Sequence, residues 1–254
     1  MVNIKIRESE SRGYVDKGWL KASHSFSFST YVDEEYMGYG LLRVLNEDHV
    51  EKSSGFGFHS HRNYEIITYI VSGEIEHKDN MGHREIIKRG QIQFTSAGSG
   101  ISHSEVNSNK ELDAHVLQVW VKPNAMNLTP YYDTLKFEEK KRSNQFIALI
   151  SPGDYDSSEI TDTIGINANF YMSSILLDGG NRVEYNYLAK LNANRKIYIH
   201  VVDDSTNSEY SLLNEEFKLF NGDAAIIEDF NEVDKIELEN KGEKRMEIVI
   251  FEMY

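Results

Sequence analysis

Glu65-Ile66-Ile67-Thr68-Tyr69-Ile70-Val71-Ser72-Gly73-Glu74-Ile75-Glu76-His77 contains two extended runs hinged on a Ser-Gly turn. β-Branched and aromatic side chains pack well on a pleated surface, and a Gly accepts the backbone a tight reversal needs. The pattern repeats on both sides of this stretch. Further turn signals stand at Asn80-Met81-Gly82, Arg89-Gly90, Gly98-Ser99-Gly100 and Asn107-Ser108-Asn109. Between them lie apolar runs over Glu85–Lys88, Gln91–Thr95, Ile101–Val106 and Leu112–Val121. Strands at spacings of about 8 to 12 residues predict an antiparallel sandwich or barrel, and no long helical period competes.

Towards the C-terminus, residues 123–144 hold two Pro and the charge run Glu138-Glu139-Lys140-Lys141-Arg142, which reads as a linker with one helical turn. The strand rhythm resumes in Gln145–Ile150, Phe170–Leu177, Lys196–Val202, Ala224–Ile227 and Met246–Phe251. Two β domains in tandem are the simplest account, resting on rhythm alone because no residue-level repeat links the halves.

Composition narrows the class. The 254 residues are 40% hydrophobic, carry a net charge of −14 and contain no Cys. Disulfides, thiolate metal sites and Cys nucleophiles are therefore excluded, and any metal must be held by His, carboxylates or water. The longest apolar run is already broken by Thr68, and the first residues lack the apolar stretch of a signal peptide, so a soluble, cytoplasmic protein is expected. Residues 143–254 hold 9 Lys+Arg against 21 Asp+Glu, whereas residues 1–142 hold 18 against 20. Such a surface repels phosphate, which argues against direct nucleic-acid binding and leaves a protein partner with a basic face as the macromolecular option. Eight of the nine His precede residue 116, which places the chemistry in the first half.

Within that half, His59-Ser60-His61 and His103-Ser104-Glu105 each follow a Gly-rich turn, Gly55-Phe56-Gly57 and Gly98-Ser99-Gly100. Side chains at i and i+2 of a strand share a face, so each pair presents two ligands in one direction. If the two strands are neighbours, three imidazoles and a carboxylate converge. A His-x-His alone is weak, since composition predicts roughly 0.3 by chance. Glu65, four residues after His61, reads as supporting the ligands or sitting at the core edge in preference to being a ligand itself. His77 and Asp79 read equally as hydrogen-bonding partners of a ligand or as a surface ion pair. His115, on the face of Leu117 and Val119, reads as a satisfied core histidine. Phe26, Phe28 and Trp120 are candidates for an aromatic pocket, or plain core. Asp203-Asp204 and Glu228-Asp229 read as solvated loop carboxylates.

Gly55-Phe56-Gly57-Phe58-His59-Ser60-His61-Arg62-Asn63-Tyr64-Glu65, Glu76-His77-Lys78-Asp79 and Ala97-Gly98-Ser99-Gly100-Ile101-Ser102-His103-Ser104-Glu105 together resemble the N-terminal cupin domain of the pirin family. Gly18-Trp19-Leu20, His24-Ser25-Phe26-Ser27-Phe28, Arg43-Val44-Leu45-Asn46, Asp48, Leu117-Gln118-Val119-Trp120-Val121 and Pro130-Tyr131 fit the same family. The likeness is close over residues 10–135 and loose beyond, with Ser60 and Asn80 standing where the family commonly has Pro and Ser.

This resemblance implies an all-β bicupin of two jelly-roll barrels: residues 1–135 with the metal site, and residues 143–254 metal-free. The implied ligands are His59, His61, His103 and Glu105, holding one divalent transition metal. Fe(II) is the metal most associated with the family, and Mn, Ni, Co, Cu or Zn also suit such donors. The implied activity is that of pirin-type quercetin 2,3-dioxygenases, which open the central ring of a flavonol with O₂ and release carbon monoxide, Glu105 doubling as catalytic base. The alternative is a metal- or redox-state-sensing regulatory protein without catalysis. Fold and metal site do not by themselves choose between them.

Overall fold

The computed structural model describes residues 3–153, 162–188, 195–203, 210–228 and 236–254. These form two jelly-roll barrels, each built from one seven-stranded and one four-stranded sheet. In the first large sheet the order is Tyr131–Lys136, Gln91–Ser96, Glu65–Ser72, Ala114–Val121, Leu42–Val50, Leu20–His24 and Gly13–Asp16. Its small sheet runs Ser54–His61, Ile101–Asn107, Glu74–Asp79 and Arg84–Lys88. The second large sheet runs Asn3–Arg7, Ala224–Glu228, Lys196–Val201, Met246–Met253, Phe170–Leu177, Ile147–Pro152 and Ile164–Ile166. The remaining small sheet is Arg182–Tyr185, Ile236–Asn240, Tyr210–Leu213 and Phe217–Phe220.

The Glu65–Ser72 strand shows why the central runs are continuously apolar: both of its faces are covered. Ile67, Tyr69 and Val71 join a core that also contains Met172, Tyr198, Val249 and Phe251 of the second large sheet, so the two large sheets pack on each other. Ile66 and Ile70 face into the first barrel, in two smaller clusters. Thr68, on that inner side, is left for the site. The interior of the second barrel is a separate apolar cluster that includes Ile199, Leu238 and Ile250.

Two features depart from the rhythm of the sequence. The stretch expected as a linker contains the strand Tyr131–Lys136, paired with Gln91–Ser96. Its charge run forms a short 3-10 turn, Glu139–Arg142, whose last residue is fully buried. Arg142 is held there because its guanidinium donates to the Tyr69 hydroxyl and to Glu247 of the second large sheet. The chain also begins in the other half, where Asn3–Arg7 pairs with Ala224–Glu228. Among the described residues no helix is long and apolar enough to cross a membrane.

Candidate metal centre

The Ile101–Asn107 strand lies between Ser54–His61 and Glu74–Asp79 in the small sheet of the first barrel. Its register puts His103 opposite His59 on one side and opposite Asp79 on the other. On the Ser54–His61 side a bulge between His103 and Glu105 shifts the pairing so that Glu105 opposes Phe56, while the regular register on the other side sets it opposite His77. The turn that starts this strand needs glycine: Gly98 has φ +44°, and a Cβ there would meet the Leu128 carbonyl oxygen at 2.0 Å.

His59, His61 and His103 converge as the sequence predicts, with donor atoms within 4.8 Å of one another and ring centroids 4.6–4.7 Å apart. His103 Nε2 lies 3.1 Å from His59 Nε2. Glu105 belongs to an overlapping group, within 4.8 Å of His103 and His77. Its carboxylate accepts from Thr68 Oγ1 at 2.8 Å and from Gln118 Nε2 at 2.7 Å. His77 and Asp79 are buried rather than a surface pair: His77 Nε2 is 3.1 Å from Asp79 Oδ2, which also meets His83 Nδ1 at 2.8 Å.

Burial, reinforced by His103 and His59, pushes the His61 imidazole down to about 4. Burial likewise lowers His103. For Glu105 burial works upward, but His103 and the bonds from Thr68 and Gln118 prevail and hold the carboxyl below its usual range. The lowered imidazoles of His61 and His103 thus stand beside an ionised carboxylate, the ionisation a divalent metal requires. His103 Nδ1 is buried without a partner, a further sign of a donor set whose arrangement is set by more than the protein's own hydrogen bonds. The residues fit a metal of the borderline, imidazole-accepting class.

Beside the cluster is a cavity of about 290 Å³ whose lining includes Phe28, Asp48, Phe56, His61, Gln118 and Trp120. Trp120 meets His61 edge-on at 4.8 Å and Phe28 at 5.4 Å. Phe28 and Trp120 therefore line a pocket, as one of their two readings holds, whereas Phe26 packs against Tyr198 in the core between the barrels. His115 is the satisfied core histidine of the sequence reading, its Nε2 2.9 Å from Glu47. Glu65 is fully buried at the core edge, accepting from Ser96 Oγ and from Asn167 of the second half. Asp203 is no free loop carboxylate, since it forms an ion pair with Arg12. Glu228 ends a strand and pairs with Lys196. Asp204 and Asp229 lie outside the described residues. Sequence reasoning gave no site role to Thr68, Asn46, Asp48, Phe56 and Gln118. The signal was there in Asn46 and Asp48, two polar residues at strand spacing facing the same way.

The pirin family model matches residues 5–121. A Zymomonas mobilis protein, provisionally named a quercetin 2,3-dioxygenase, is 32% identical over 247 residues that span 97% of each chain. The chain belongs to the pirin family. The quercetin 2,3-dioxygenase of Escherichia coli K12 is 39% identical over 155 residues, which are 61% of this chain and 66%, just under two thirds, of that relative. The crystal structure of the bacterial pirin YhhW from Escherichia coli, in complex with nickel(II), superposes with a TM-score of 0.83 at 28% identity, covering 99% of both chains. Over nearly its whole length this chain therefore has the fold of a pirin.

Proposed function

We propose that the first barrel is a dioxygenase site for a flavonol or a related phenol, with His59, His61, His103 and Glu105 holding one divalent transition metal, Fe(II) as the first choice. The carrying observation is the convergence of three imidazoles beside a buried carboxylate at an aromatic-walled cavity. Two relatives bear the quercetin 2,3-dioxygenase name, and a structural relative holds nickel(II). When bound, the metal would supply Lewis acidity towards a substrate hydroxyl and an electron path between substrate and O₂.

The chain's own residues do the rest. Phe28 and Trp120, packed edge to face, form one aromatic wall against which a flat aromatic molecule can lie. Glu105 accepts the hydroxyl proton at a carboxylate oxygen, a role that requires it to be ionised beforehand, as the bonds from Thr68 and Gln118 ensure. Those bonds also fix its orientation. In this reading the second barrel covers the apolar side of the first large sheet and carries no chemistry.

The test is metal analysis of protein purified without added metal, followed by O₂ uptake and carbon monoxide release against a panel of flavonols. About one metal per chain with O₂ consumed only in the presence of a flavonol is expected. A metal-replete chain inert towards every flavonol overturns the reading.

A further inference from the structure

The Leu42–Val50 strand sends Leu45 and Glu47 towards the second barrel and Asn46 and Asp48 into the first, because side chains two apart share a side. Asp48 is only 3% exposed, and its Oδ1 is buried with no hydrogen-bond partner. On the adjacent strand Gln118 stands opposite Asn46. Its amide nitrogen is committed to Glu105 at 2.7 Å and Thr68 at 3.1 Å, which leaves its Oε1 buried and unpaired as well. Asn46, whose Oδ1 is engaged by His24 Nδ1 at 2.8 Å, makes no hydrogen bond to either oxygen. Both orphan oxygens belong to residues lining the cavity that also reaches His59, His61 and Glu105.

Buried acceptors are almost always satisfied, and two left unpaired on residues of one cavity wall mark where a ligand's donors belong. We propose that Asp48 and Gln118 Oε1 form an acceptor end of the pocket, which selects a phenol bearing a hydroxyl donor in addition to the one that faces Glu105. The proposal rests on the flavonol reading and narrows it to polyhydroxylated substrates. Burial, with Glu105 and Glu47 adding to it, raises the Asp48 carboxyl to about 8, so at neutral pH it is a neutral acid. A neutral acid accepts from a hydroxyl and donates back to it, whereas a ligand carboxylate or phosphate here would face the charge of Glu105.

The experiment measures binding under nitrogen, where no turnover occurs, by quenching of tryptophan fluorescence in the full metal-loaded chain. The probes are quercetin, with several ring hydroxyls, and 3-hydroxyflavone, with one. The wild-type chain should bind quercetin about tenfold to hundredfold more tightly, as expected for donors that satisfy otherwise unpaired buried acceptors. Asp48→Leu should remove most of that preference by weakening quercetin alone, while Asp48→Asn, which keeps an acceptor oxygen, should retain it. Metal content and melting temperature of both variants report that the site and barrel are intact. Equal wild-type affinity for the two probes, or an equal loss of both in Asp48→Leu, overturns the assignment and leaves the flavonol reading standing. Binding of neither probe by the wild-type chain overturns that reading and this inference with it.

Discussion

His61 is caught between burial and two other imidazoles, and its proton affinity falls far enough that it is a free ligand at any physiological pH. Replacing it with Ala should therefore remove most of the bound metal by elemental analysis while the far-ultraviolet spectrum of the barrel stays intact, because a site built on a packed scaffold is not the source of its core. Glu105→Gln separates two roles. The amide oxygen still coordinates, though weakly, but takes up no proton near neutral pH, so turnover should fall by about 10² or more while metal content falls much less. Unchanged turnover would make Glu105 a ligand only. The three imidazoles were legible because His59 with His61, and His103 with Glu105, stand at i, i+2 spacing after Gly-rich turns. Asp48 and Gln118 were not, because their significance is an unmade hydrogen bond, which depends on what every neighbour has already committed.

Elements were legible where the chain is covered on both sides. Glu65–Ser72 is a run of mostly β-branched and aromatic residues, and Phe170–Leu177 an aromatic and aliphatic one broken by Ser173 and Ser174, because one face of each lies in the barrel-to-barrel core and the other in a barrel. Leu20–His24, Leu42–Val50 and Tyr131–Lys136 escaped notice for other reasons. The first two carry polar residues into a polar pocket or a buried ion cluster, and the third is a partly exposed edge. Turn chemistry was more dependable than strand composition. At Gly98 the φ of +44° lies in the left-handed region that favours glycine, and the Leu128 carbonyl stands where a Cβ must go. Gly98→Ala should therefore displace the chain at residues 128–130 and cost about 2 kcal/mol or more, read as a lowered urea midpoint with unchanged slope. Because this turn launches the strand carrying His103 and Glu105, metal affinity should fall in the same variant.

At the scale of the molecule, two buried polar clusters tie the barrels together inside an otherwise apolar contact. Glu47 accepts from Arg12 at 2.8 Å, His115 at 2.9 Å, His200 of the second barrel at 3.1 Å and the Asp203 amide at 2.7 Å. Burial pushes this carboxyl upward, but His200, His115 and Arg12 override it and hold it well below its usual value. A depressed acid contributes stability that is present above its unfolded pKa, about 4.5, and is lost as pH falls below it towards the folded value. Thermal stability should thus drop steeply below about pH 4.5, and Glu47→Leu, which strands buried Arg12, should cost about 3–5 kcal/mol at pH 7 while flattening that acid limb. The second cluster joins Arg142 and Arg89 to Glu247. Local composition gave no hint of either, since a charge run is ordinarily solvated and only the facing sheet buries it. The same architecture decides what happens when the halves are separated. A chain ending at Arg142 would lose the Met172, Tyr198, Val249 and Phe251 wall and expose the Ile67, Tyr69, Leu117 and Val119 face. It would also leave Asn3–Arg7 without its partner strand, an open edge able to pair with other chains. Residues 1–142 should therefore be recovered mostly as aggregate, with metal content in the small soluble fraction set by the intact small sheet. A soluble, monomeric fragment with full activity would show instead that the first barrel stands alone and that the second serves some purpose other than covering it.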